Sequence, residues 1–126
     1  MGYLIVFVGA GLGGAMRHGV NLAALRLGWM AFPFSTLAVN VFGSFLMGLF
    51  AEYFALKVHL PQQGRLFLAT GILGGFTTFS AFSLEVALLY ERGRLGLAAL
   101  YVGASVVLSV AALFGALALV RSLVKV

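Results

Sequence analysis

Four runs of almost unbroken apolar residues, at roughly 3 to 25, 34 to 56, 66 to 90 and 95 to 120, are separated by gaps of only a few residues. Each run is long enough to cross the hydrocarbon core of a bilayer as a helix, which takes about 20 residues. In a chain of 126 residues, four such runs leave no room for a soluble domain. Composition points the same way, since 63% of the residues are hydrophobic, 9% are charged and the mean hydropathy is +1.13, all far from soluble averages. The runs lack the period-2 alternation of a membrane barrel and exceed the length of its strands, so helices are the form expected. The fold class that follows is an all-α integral membrane protein, read as a single transmembrane domain over 1–126 with four spans.

The gaps carry turn signals. "RLGWMAFP" at 26 to 33, "KVHLPQQGR" at 57 to 65 and "ERGRL" at 91 to 95 each combine charge with Gly or Pro. The opening "MGYLIVFVGAGLGG" lacks a basic leader and its apolar pattern runs past any cleavage site, so it reads as the first span rather than a signal peptide. Val6 breaks the myristoylation pattern. The net charge of +5 is scattered over helix ends rather than gathered on one face, which favours lipid headgroups over nucleic acid as neighbours. There is no cysteine, hence no disulfide, thiolate metal site or thiol nucleophile. The carboxylates are Glu52, Glu85 and Glu91, and no H-E-x-x-H, G-x-S-x-G or Walker A pattern occurs. The chain is therefore not expected to be an enzyme, and transport is the class left.

An even number of spans puts both termini on one side. Lys57, Arg65, Arg121 and Lys125 then share that side, Arg26, Arg92 and Arg94 lie opposite, and Arg17 falls inside the first span. Four against three gives the positive-inside rule almost nothing to act on. Such a chain either inserts in both orientations, in which case opposite copies can pair as an antiparallel dimer, or takes one orientation from weak cues. Four thin helices enclose little interior, so oligomerisation is expected. His18 and His59 read as interfacial residues.

Small residues recur at four-residue spacing: Gly9 and Gly13, Ser44 and Gly48, Gly71 and Gly75, Ala111 and Gly115. Such pairs let membrane helices approach closely. Between Gly71 and Glu85 the third run reads "GILGGFTTFSAFSLE", with adjacent Gly74 and Gly75 followed by adjacent Thr77 and Thr78, all poor helix formers, near the middle of the span. Either this is a packing kink, or the helix breaks there and its freed backbone is buried in protein or binds something polar, for which carbonyl ends suit a small cation. Beyond it, Phe79 and Phe82 share one helix face, as do Ser80 and Ser83. A phenyl edge is electropositive and can face an anion without holding it as tightly as an ammonium.

Other polar residues lie deep in the runs. Asn40 needs partners for its amide, from an interhelical hydrogen bond or a pore. Tyr101, Ser105 and Ser109 recur every four residues, a stripe about 12 Å long that is either a hydroxyl track or a set of serines bonded back to their own helix. Arg17 either recruits anions at a vestibule or locks carbonyls; Glu85 either pairs with Arg17, caps a hydroxyl network or relays protons.

Taken together, "GAGLGGAMRH" (9 to 18), "STLAVNVFGSFLMG" (35 to 48), "GILGGFTTFSAFSLE" (71 to 85) and "YVGASVVLS" (101 to 109) resemble the Fluc/CrcB fluoride ion channels over essentially the whole chain. The resemblance implies a dual-topology antiparallel homodimer in the inner membrane of a prokaryote, its third span broken at mid-membrane, exporting fluoride passively through two pores. It further implies a structural Na⁺ at the dimer centre, held by the backbone carbonyls of Gly74 and Thr77 from both copies. Phe79 and Phe82 would form the aromatic box and Asn40 would contribute its amide. Thr36 and Ser83 would join the pore and Tyr101, Ser105 and Ser109 its polar track, with Arg17 near the vestibule and Glu85 close by. Ser35, Ala81 and His18 depart from the usual pattern, at places where a Gly, a Thr and an aromatic are common; the change at 81 removes a hydroxyl. Two rivals remain in view. A small multidrug-type, proton-coupled exporter would need a carboxylate in its first span, where this chain has Arg17; a non-conducting structural subunit would leave the mid-membrane Thr, Ser and Asn without a use.

Overall fold

The computed structural model describes residues 1–28, 33–56 and 61–124, and within them all regular structure is helical. Helix α1 is Gly2–Arg26 and α2 is Phe34–Leu56. The third span is built of two halves: α3, residues 62–76, and α4, Phe79–Glu91. Helix α5 is Leu95–Val124. Four stretches, Gly2–Arg26, Phe34–Phe54, Gln62–Glu91 and Leu95–Leu123, are long and apolar enough to cross a membrane, which makes the chain a multi-pass membrane protein by length and composition. The third begins at Gln62, four residues before the apolar run itself, because Pro61 starts it: the Pro61 carbonyl accepts from the amides of Gly64 (2.9 Å) and Arg65 (3.2 Å). Lys57, His59 and Lys125, used above in counting charge and interfacial residues, lie outside the described residues.

Helix ends follow from glycine. The α4–α5 turn is a Schellman motif: Gly93 at φ +75° lets its own amide reach Tyr90 O (3.0 Å) and the Arg94 amide reach Leu89 O (2.9 Å). Gly28 ends α1 in the same left-handed conformation, at φ +79°.

Two side-by-side pairs organise the bundle, α1 along α3 and α2 along α5, with α4 leaning on α5. Glycine permits the first pair. A Cβ on Gly9 would lie 2.8 Å from the Phe67 carbonyl oxygen, and one on Gly13 or Gly75 would overlap the carbonyls of Ile72 and Ala10. In the second pair, a Cβ on Gly48 would come within 2.6 Å of the Leu113 carbonyl oxygen. Three of the four small-residue pairs thus have a member at a close backbone approach. The fourth does not: Gly115 has nothing within 4 Å of where its Cβ would be and Ala111 is exposed, so that face of α5 points away from its own chain.

From Leu66 to Leu73 the first half of the third span winds as a π-helix, then returns to α-helix for Gly74–Phe76. The helix stops at Thr77 and Thr78, both extended (φ −84°, ψ 158° and φ −153°, ψ 125°), and restarts at Phe79. The break falls midway along the 30-residue span, where the glycine and threonine pairs place it.

Candidate functional site

The break is held in place by a side chain from another helix. Asn40 on α2 donates from Nδ2 to the Thr78 carbonyl (3.1 Å) and accepts at Oδ1 from the Thr78 amide (2.8 Å), so one side chain satisfies both backbone groups of the residue that leaves the helix. In a continuing helix that amide would bond the Gly74 carbonyl; here that carbonyl loses its i+4 partner. Thr77 folds its hydroxyl back to the Leu73 carbonyl (2.9 Å), and the Thr78 hydroxyl caps α4 by accepting from the Ala81 amide (3.1 Å). Gly43 leaves the space that the Thr77 methyl fills.

Against the break lies a groove of about 330 Å³ between α2, the two halves of the third span and α5. Asn40, Phe79, Phe82, Ser105 and Ser109, picked out from sequence, all line it, together with Thr77 and Ser44. Buried Ser105 Oγ and Ser109 Oγ have no hydrogen-bond partner among the described residues. That removes the back-bonding alternative for these two serines. It also leaves two hydroxyls beside a groove that none of the described residues fills, and a buried hydroxyl of this kind calls for a ligand or water. Asn40 makes the interhelical hydrogen bonds weighed for it and also lines the groove.

The phenyl rings of Phe79 and Phe82 stand 5.5 Å apart at 47°, and Phe82 meets the Tyr101 ring at 5.1 Å. Phe79 is 78% exposed, so within one chain it forms an open wall rather than a closed box. Immediately beyond Phe82, Thr36 Oγ1 donates to Glu85 Oε1 at 2.5 Å and the Tyr101 hydroxyl approaches the same oxygen at 3.5 Å. Glu85 therefore closes a hydroxyl network. It does not pair with Arg17: among the described residues the ion pair found is Arg121 with Glu52, at 3.0 Å.

Not every residue singled out from sequence converges on the groove. Ser83 is exposed and does not line it; Arg17 does not line it either, and its Nε is buried without a partner among the described residues. Two departures from the family pattern also lie apart from the groove. Ser35 donates its hydroxyl to Asn21 Oδ1, joining α2 to α1, and Ala81 contributes its amide to the Thr78 cap. His18 is exposed on α1. No group of three His, Asp or Glu side chains that could hold a metal ion occurs among the described residues.

The family model described as "CrcB-like protein, Camphor Resistance (CrcB)" matches residues 4–117. The chain belongs to the CrcB family. Among its relatives, the fluoride-specific ion channel FluC of Granulibacter bethesdensis is 66% identical over 125 residues, covering 99% of this chain and 98% of that one. The fluoride-specific ion channel FluC of Rhodopseudomonas palustris strain BisB5 is 58% identical over 98% of this chain and 99% of its own length. That of Methylobacterium nodulans is 59% identical over 94% of both. Two features of the site escape sequence reading: the bidentate hold of Asn40 on Thr78, and the presence of Ser44 in the groove. The second left a trace, since Thr36, Asn40 and Ser44 recur every four residues on one helix.

Proposed function

We propose that this chain is a fluoride channel, as the names of its relatives suggest, and that the anion passes passively along the groove. The observation that carries the reading is the pair of buried, unpartnered hydroxyls of Ser105 and Ser109 beside the Phe79 and Phe82 rings. A small, tightly hydrated anion enters a membrane only if donors replace its water, and leaves only if no fixed cation traps it. Hydroxyls, the second amide proton of Asn40 and ring edges meet both demands, and among the described residues no lysine or arginine lines the groove. A drug exporter would need an acid in α1, which contains none.

The working unit is an antiparallel homodimer of oppositely inserted copies in a bacterial inner membrane. Near-balanced flanking charge supports dual insertion, and the largely exposed Phe79 supports a second copy completing the wall. A sodium ion fits at the centre of that dimer. Gly74 is exposed, its carbonyl has lost its helical partner, and the Thr77 carbonyl follows at the end of the same half-helix. Gly74 and Thr77 of each copy would hold the ion, which would neutralise the partial negative charge of the two facing helix ends.

Efflux from proteoliposomes tests the reading. Fluoride should leave electrogenically with no proton gradient, while chloride is retained; proton flux driven by a cationic drug, or no flux at all, would overturn it.

A further inference from the structure

Helices α2 and α5 are the second and fourth spans, so they run in the same direction, and one close contact fixes their register: Gly48 lies against Leu113. Stepping back four residues at a time, about 6 Å, pairs Ser44 with Ser109, Asn40 with Ser105 and Thr36 with Tyr101. The last pairing is seen directly, because both residues meet the same carboxylate oxygen of Glu85. The α5 stripe is thus one side of a ladder whose other side is Thr36, Asn40 and Ser44 on α2. Two of its three levels have partners for their α2 groups, Thr36 on Glu85 and Asn40 on Thr78. The third is different. Ser44 makes no hydrogen bond among the described residues and Ser109 Oγ is buried without one, yet both line the groove. Past them the groove is lined by Met47 and Leu113, which offer an anion nothing.

We infer that Ser44 and Ser109 form a separate station for a dehydrated halide, one turn beyond the level of Asn40 and Ser105. Ser44 supplies the donor from α2 that no other side chain at this level supplies. It is the last polar level before the Met47 and Leu113 wall on the side of the termini. An anion moving from the ring edges toward that side exchanges donors from Ser105 to the two serine hydroxyls together, so losing one of them raises the barrier at this step. The same groove could shelter only water at this level; a water would bridge the serines without making transport depend on either hydroxyl.

The inference rests on the channel reading, and the experiment keeps the two apart. Fluoride efflux is measured from proteoliposomes holding the unaltered chain, Ser44→Ala, Ser44→Thr, Ser109→Ala and the double variant Ser44→Ala/Ser109→Ala, with elution on size exclusion recorded for each. Ser44→Ala should cut the flux about tenfold, the scale of one lost hydrogen bond to an ion. Ser44→Thr, which keeps the hydroxyl, should stay within about twofold. The double variant should lose less than the product of the two single losses, because both hydroxyls serve one ion. Unaltered flux in Ser44→Ala overturns the station and leaves the channel standing, as does equal loss in Ser44→Thr, which would make packing rather than the hydroxyl the cause. Absence of flux from the unaltered chain overturns both. If Ser44→Ala elutes as aggregate, Ser44→Thr against Ser44→Val, equal in shape and differing in the hydroxyl, decides the same point.

Discussion

Phe82 has one ring neighbour on each side, Phe79 in the groove and Tyr101 at the Glu85 network, so it is the residue through which the two polar regions touch. Under the proposed function its use to an anion would be the positive ring edge, which an aliphatic side chain lacks. Phe82→Ile keeps the side chain apolar and removes the edge. Fluoride flux is expected to fall at least tenfold, about 1.4 kcal/mol of barrier, with the elution of the purified protein unchanged. Flux at the unaltered rate would refute the aromatic contribution. Tyr101 shows the complementary case: fully buried and packed with Leu89 and Ala98, its ring belongs to the core while its hydroxyl reaches Glu85. A stripe read from spacing alone treats Tyr101, Ser105 and Ser109 as equivalents. In the folded chain the first is tied into a network, and the hydroxyls of the other two have no partner among the described residues.

At the scale of elements, the break in the third span is a joint made by two helices. Glycine and threonine make the winding weak at 74 to 78, but Asn40 on α2 decides where the chain leaves it by taking both backbone groups of Thr78. Asn40→Ala strips both partners in an apolar interior, at about 1–3 kcal/mol for each group left unsatisfied. Amide exchange at Thr78 should accelerate and the thermal midpoint in detergent should fall; a Thr78 amide protected as in the unaltered chain would show that the break holds itself. This is also where sequence reading reaches its limit. The four spans and the break were legible because apolar length and clustered Gly and Thr are local properties. The Asn40 clamp joins residues 38 positions apart, and nothing local encodes it. The π-helix over Leu66–Leu73 was hidden for another reason: those residues are apolar all round, so no periodicity records the winding. Likewise the four-residue spacing of Ala111 and Gly115 shows a small face without saying what it faces.

For the whole molecule the governing quantity is the balance of charge across the membrane. The described cations Arg65 and Arg121 stand on the side of the termini and Arg26, Arg92 and Arg94 on the other, with Arg121 partly neutralised by Glu52. A few kilocalories of bias would decide the orientation, since each basic residue near an anionic leaflet contributes about 1 kcal/mol. If the conducting unit needs opposite copies, it is vulnerable to any bias at all. Gln62→Lys with Gln63→Lys, Arg92→Gln and Arg94→Gln should hold the termini in the cytoplasm; Arg65→Gln with Glu91→Lys, Leu27→Lys and Leu95→Lys should hold them out. All eight positions are exposed and none lines the groove, so each copy should fold. Expressed alone in cells lacking their own fluoride export, either variant should give no fluoride tolerance, and the two together should restore it. Full tolerance from one variant alone, with cysteine labelling confirming a single orientation, would mean that like-oriented copies suffice and that the exposed Phe79 and Gly74 face lipid or a parallel neighbour instead.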